Sequence, residues 1–202
     1  MSELSAWRAI GAWDGVAIAG RLGISGETGI TITPRHDLSL AYVIASEREA
    51  ATAELFSRRF RIELPVKPKA VGLGDLTIVW SGPSQWLALS GQAGLWRRLA
   101  EELNGHAAIT DQSAARAVLV LEGARVRDLL AKGCPIDLHP RSFSRGDAAV
   151  TTIAGIGVQL WQAEDSDAFT IAVSRSMAGS FWSWLTHCAA EFGVEVRAPA
   201  NP

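Results

Sequence analysis

From Leu38 to Ile44 the chain alternates, with Leu38, Leu40, Tyr42 and Ile44 on one side and Ser39, Ala41 and Val43 on the other, the period of a half-buried strand. Ser46 with Glu49 three residues on is the spacing of a capping box, and Ala51, Leu55 and Phe56 then recur at helical spacing to about Phe60. After the short Ile62-Glu63-Leu64-Pro65 segment, Leu76, Ile78 and Trp80 alternate up to Ser81-Gly82-Pro83-Ser84, and Trp86-Leu87-Ala88-Leu89 returns as a second strand, which predicts a hairpin. Leu95, Trp96, Leu99 and Leu103 form the apolar stripe of a following helix, ended by Asn104-Gly105.

The same order returns from Ala117. An apolar run to Leu121 leads to a short helix with Val126, Leu129 and Leu130 on one side, then Ile136-Asp137-Leu138-His139. Two strand-like runs follow, Thr151 to Trp161 and Phe169 to Val173, joined by Glu164-Asp165-Ser166-Asp167. A helix with Ala178, Phe181, Trp182, Leu185, Ala189 and Phe192 facing inward then ends at Gly193. Strand, helix, IxL segment, hairpin and helix occurring twice predict an α+β fold of two related subdomains. Each has a mixed or antiparallel sheet with helices packed on one face, over residues 1–105 and 106–202, forming one compact unit. Val16, Ile18, Ile30 and Ile32 in the first 35 residues predict additional strands.

Composition adds exclusions. In 202 residues, 48% hydrophobic against 20% charged is ample for a packed core, and a net charge of -2 with pI near 6.1 gives no basic field for nucleic acid or anionic membrane. No apolar run approaches a membrane span, and Met1-Ser2-Glu3-Leu4 lacks signal-peptide character, so the expected location is cytoplasmic. Cys134 and Cys188 stand far apart, outside any CxxC spacing, and read as small core residues. Eight tryptophans against one tyrosine fit either a core of large residues or indoles that anchor a protein interface.

The search for chemistry finds little. His36, His106, His139 and His187 fall in four separate segments without the spacing of a metal-ligand set. Gly155-Ile156-Gly157 has Leu160 where a dinucleotide loop needs its third glycine, and Gly72-Leu73-Gly74 lacks the lysine and serine of a phosphate loop. Gly23-Ile24-Ser25-Gly26 lacks the spacing of a nucleophile elbow. Arg58, Arg59, Arg61, Lys67 and Lys69 are the densest basic region, read as a solvated helix end or a contact for an acidic partner. Thr110-Asp111-Gln112-Ser113 is the polar cluster of most interest: Asp111 or Ser113 either folds back as a turn former or meets a ligand.

That cluster, with Arg116, Gly123 and the stretch Leu129-Leu130-Ala131-Lys132-Gly133-Cys134-Pro135-Ile136-Asp137-Leu138, resembles the sarcosine oxidase gamma subunit family. Further matches are Trp80-Ser81-Gly82-Pro83 with Gln85-Trp86-Leu87, Thr151-Thr152-Ile153-Ala154, and Ser174-Arg175-Ser176 leading to Phe181-Trp182 and Trp184-Leu185; together they span about residues 75–193. In the family a histidine often follows the Asp-Gln-Ser triplet, where this chain has Ala114.

The resemblance implies a fold similar to the folate-binding domain of the glycine cleavage aminomethyltransferase. It also implies a non-catalytic role in assembling heterotetrameric sarcosine oxidase, which oxidises sarcosine to glycine with hydrogen peroxide and formaldehyde or methylenetetrahydrofolate. FAD, FMN, NAD, tetrahydrofolate and zinc are implied in the partner alpha, beta and delta subunits, and no catalytic, cofactor or metal residue in this chain. A second reading is a stand-alone folate-binding or one-carbon-transfer protein using Asp111, Arg116 and Arg175. A third is a self-associating scaffold with an apolar patch covered by its own copy.

Overall fold

The structure, a computed structural model, describes residues 10–46 and 49–198, apart from the side chain of Glu49. The Glu49 side chain of the expected capping pair with Ser46 therefore lies outside what is described.

Two sheets form. Sheet one is antiparallel in the order β4 (Ala70–Leu73), β5 (Leu76–Gly82), β6 (Gln85–Ser90), β3 (Ser39–Ala45), β7 (Ala107–Asp111). Sheet two runs β1 (Gly20–Leu22), β12 (Val194–Val196), β2 (Ile30–Arg35), β8 (Arg116–Glu122), β11 (Phe169–Ser174), β10 (Ile156–Gln162), β9 (Ala148–Ile153). Within it β12 pairs with β2 in parallel and the other pairings are antiparallel. The helices are α1 (Glu49–Phe60), α2 (Leu95–Glu102), α3 (Val126–Ala131) and α4 (Ala178–Ala189).

The internal repeat is present in the topology. Chain order β3-α1-β4-β5-β6-α2 is repeated as β8-α3-β9-β10-β11-α4, and the sheet order β4-β5-β6-β3 is repeated as β9-β10-β11-β8. The strand that leads into each repeat is exchanged. β2 precedes β3 along the chain but pairs with β8, and β7 precedes β8 but pairs with β3. A division at residue 105 falls between α2 and β7, so sheet membership crosses the expected boundary in both directions. Alternation marks a strand but carries no information about which sheet it joins.

The sheets face each other and the helices cover their outer faces. Leu40, Val79, Leu87 and Leu89 of sheet one meet Val118, Trp161 and Ala172 of sheet two. Outside, Phe56 and Phe60 of α1 and Leu95 and Leu99 of α2 pack on Ala41, Val43 and Trp86, while Leu129 and Leu130 of α3 and Phe181 and Leu185 of α4 pack on Leu119, Leu121 and Ile171. Strands buried on both faces explain why runs such as Trp86 to Leu89 are continuously apolar.

Two local expectations change. The run from Thr151 to Trp161 is not one strand but the hairpin β9–β10, with Ile153 opposite Ile156 and the turn at Ala154 (φ 50) and Gly155 (φ 78). A two-residue turn of that hand needs positive φ at both central positions, and an alanine there disguised the signal. Val16 and Ile18 are outside strands, with Ile18 75% exposed, and the first strand is Gly20–Leu22. The buried anchor of this segment is Trp13, 1% exposed, whose indole N–H donates to the Val118 carbonyl at 2.8 Å while its ring lies 6.0 Å from Trp182. Trp13→Ala should lower unfolding stability by about 3–5 kcal/mol, through the cavity and the orphaned carbonyl; a denaturant titration showing a loss below ~1 kcal/mol would mean that the segment does not belong to the core.

Candidate functional site at the strand exchange

The loops that exchange the leading strands, residues 36–38 and 112–115, come together at one end of the sheets. They border a cleft of about 280 Å³, lined by His36, Asp37, Ser39, Asp111 and Ser113 with Gly94 and Trp96 from the start of α2. Asp111 acts as a turn former here: its Oδ1 accepts from the Ser113 amide at 2.9 Å and the Ser113 hydroxyl at 2.7 Å, and Ser113 Oγ accepts from the Leu40 amide at 3.0 Å. Asp37 is held by a two-pronged bond to Arg35, at 2.7 Å for each oxygen. The Arg35 guanidinium keeps the Asp37 carboxyl below the usual carboxylate range against the opposing effect of burial. Asp75 is likewise held low by the Ser90 hydroxyl and the Gly91 amide.

Arg116 and Arg175 do not line this cleft. Arg116 sits opposite Ser174 in the β8–β11 pairing, so the two arginines lie near one another, but their side chains diverge into separate tasks. The Arg116 guanidinium lies 5.4 Å over the Tyr42 ring and donates to the Tyr42 oxygen at 3.2 Å. Tyr42 donates on to Gln159 Oε1 at 3.1 Å, and Gln159 Nε2 donates to Ser81 Oγ at 2.6 Å. This chain crosses the seam between the sheets and satisfies Gln159, which is 2% exposed. Arg175 instead donates to the Ile10 carbonyl at 2.5 Å, and its amide donates to the Ala115 carbonyl at 2.9 Å.

Two groups at this end escaped sequence reasoning. His36 Nδ1 lies 3.4 Å from Asp14 Oδ1, while its Nε2 is buried without a partner among the described residues. The ring packs against Gly11, where a Cβ would come within 2.5 Å of it. Gln159 had one signal, a polar side chain in an otherwise apolar strand, but its partners Tyr42 and Ser81 are more than 70 positions away. The basic region is partly absorbed by the fold: Arg59 pairs with Glu102 across α1 and α2 at 3.1 Å, and Lys69 pairs with Asp147 across the two sheets at 2.5 Å.

The Leu129–Leu138 stretch is occupied with packing. Gly133 lies so close under Trp184 that a Cβ would be 2.5 Å from the indole, and its carbonyl accepts from the Ala154 amide at 3.0 Å. Burial pushes the Cys134 thiol up, which keeps it protonated and inert. Asp137 closes a turn through the His139 amide at 2.8 Å and the Ser142 hydroxyl at 2.6 Å.

Two facing sheets covered by helices on their outer faces, with an exchanged pair of leading strands, define the class first. The structure of the glycine cleavage system aminomethyltransferase T from Bartonella henselae matches 84% of this chain and 48% of that one, with TM-score 0.62 at 14% identity, and so shares the fold. A chain of the heterotetrameric sarcosine oxidase from Corynebacterium sp. U-96 matches more closely, at TM-score 0.73 and 28% identity over 84% of this chain and 88% of that one. The model of the sarcosine oxidase gamma subunit family matches residues 45–191, and the chain belongs to that family. The sarcosine oxidase gamma subunits of an Arthrobacter species and of Corynebacterium sp. strain P-1 are 41% and 35% identical over 87 and 120 residues. These matches cover 42% and 58% of this chain, and 43% and 59% of those relatives' lengths.

Two outcomes follow from this geometry. Gln159→Leu strands the Tyr42 hydroxyl and Ser81 at the seam and should cost about 1–3 kcal/mol in a thermal or denaturant melt; no loss would show that water replaces the bridge. Because the folded-state pKa of Asp37 is depressed, its contribution is present above the unfolded value of about 4 and disappears as pH falls through the folded value. Asp37→Asn should therefore lower stability at pH 7 and flatten the decline below about pH 4; parallel stability curves for the two proteins would refute the assignment.

Proposed function

We propose that this chain is the non-catalytic gamma subunit of a heterotetrameric sarcosine oxidase, a cytoplasmic assembly in which it stabilises the flavin-bearing partners. The observation that carries the reading is the employment of its candidate polar residues. Asp111 closes its own turn, Arg116 joins the sheet seam and Arg175 clamps Ile10, so the side chains proposed for ligand contact are engaged in holding the fold. Family membership and the close match to a chain of a heterotetrameric enzyme support the same reading. On it, FAD, FMN, NAD, tetrahydrofolate and zinc reside in the alpha, beta and delta subunits, and this chain contributes packing surface.

The alternative, folate binding by the chain itself, draws on one observation: Asp111 and an aromatic ring, Trp96, line the same cleft. The two readings separate in one experiment. Tagged chain purified from its native cell should bring down large yellow subunits at near-equal stoichiometry, and Asp111→Ala should leave sarcosine turnover of the assembly within about twofold of the unaltered enzyme. A colourless chain that purifies alone and releases heat on titration with tetrahydrofolate, with the heat abolished by Asp111→Ala, would replace the first reading with the second.

A further inference from the structure

The outer edge of β7 is unpaired among the described residues, and the chain itself contains a copy of this edge that is occupied. In sheet two the exchanged strand β2 pairs with β8 on one side and takes β12 in parallel on the other, with Ile30 N donating to Gly193 O at 3.2 Å and Arg197 N to Ile32 O at 2.9 Å. β7 holds the equivalent place in sheet one and, among the described residues, has no strand beyond it. Gln112 N donates to Leu40 O at 2.8 Å and Ser46 N to His106 O at 2.9 Å, so by the alternation of an antiparallel pair the even-numbered residues face β3. The amide and carbonyl of Ile109 therefore point outward.

The side chains agree with the backbone. Ile30 and Ile32, covered by β12, are fully buried, whereas Ile109 is only half-buried. The other edges are managed. β4 and β9 are tied to one another through Ala70 N to Gly146 O at 2.9 Å and Ala148 N to Pro68 O at 3.0 Å, and β1 is three residues long. β7 reads Ala-Ala-Ile-Thr-Asp, without the lysine, proline or bulge that normally blunts an edge.

We propose that β7 is a docking edge for an extended segment of a partner subunit, which adds to sheet one in parallel as β12 adds to β2. The occupant is apolar at alternate positions, like Val194-Glu195-Val196, whose valines are buried on either side of an exposed glutamate. This rests on the subunit reading above and names where the partner binds.

The experiment is backbone hydrogen exchange on the peptide covering residues 107–111, in the isolated chain and in the co-purified assembly, with an Ile109→Pro variant expressed beside the same partners. Proline at 109 removes an outward N–H and trims the half-buried Ile109 side chain that packs on the helix-covered core of sheet one, and β2 already carries Pro34 turned away from β8. Exchange of that peptide should slow by at least about tenfold on assembly. Ile109→Pro should fold but fail to co-purify, while Ile109→Val retains both properties. Unchanged exchange in an intact assembly overturns the proposal even if the proline variant fails to fold, and so does assembly of that variant at full yield. Slowing that rises with concentration of the isolated chain would assign the edge to a second copy and overturn it too. If the unaltered chain brings down no flavoprotein, the subunit reading fails first, a result distinct from every edge outcome.

Discussion

The structure depends on the reciprocal exchange of β2 and β7. β3 and β8 lead the two repeats, and each would be a bare sheet edge if its repeat closed on itself. Each is completed by the strand that introduces the other repeat. Backbone donors and acceptors in the interior have to be paired, so neither half can satisfy its own sheet without the other. Two subdomains related by repetition are thereby made into one folding unit, and the exchange loops come together at one end, beside the cleft that Asp37 and Asp111 border.

Between the sheets, packing and polar satisfaction share the work. The inner faces meet through Leu40, Val79, Leu87, Leu89 and Trp161, a largely apolar seam. A polar path crosses it, from Arg116 through Tyr42 and Gln159 to Ser81. A path with each member paired fixes the relative register of the sheets, since sliding one against the other would strand Gln159 in an apolar layer. The same logic accounts for Arg127, whose guanidinium reaches the carbonyls of Leu138 and Phe143 and the Gln162 side chain while it lies 4.9 Å over the Phe169 ring. Burial pushes its pKa down, but three acceptors and an aromatic face support the cation.

The residues on which the resemblance to the gamma subunit family was drawn are therefore intelligible as architecture. Gly133 permits the approach of Trp184, Asp137 closes the turn after it, and Ser113 joins β7 to β3 through Leu40. On a fold shared with an aminomethyltransferase, these positions maintain the scaffold, and the outer edge of β7 is left unpaired among the described residues. That is a suitable division for a subunit whose proposed task is to hold an assembly together.

The sequence by itself determined the kinds of element and their repetition. Period-two alternation from Leu38 to Ile44, the stripe of Leu95, Leu99 and Leu103, and the recurring IxL segments depend on local stereochemistry, which is the same wherever the element is placed. It did not determine sheet membership: Ile30 and Ile32 mark a strand, but pairing with β8 rather than β3 is set by contacts about 90 positions away. Nor did it disclose the β9–β10 turn, because Ala154 adopts a positive φ that only the surrounding hairpin imposes. The roles of Asp111, Arg116 and Arg175 were undecidable in the same way. A carboxylate or guanidinium has identical chemistry beside a ligand or beside Ser113, Tyr42 and Ile10, and only the tertiary structure chose those neighbours.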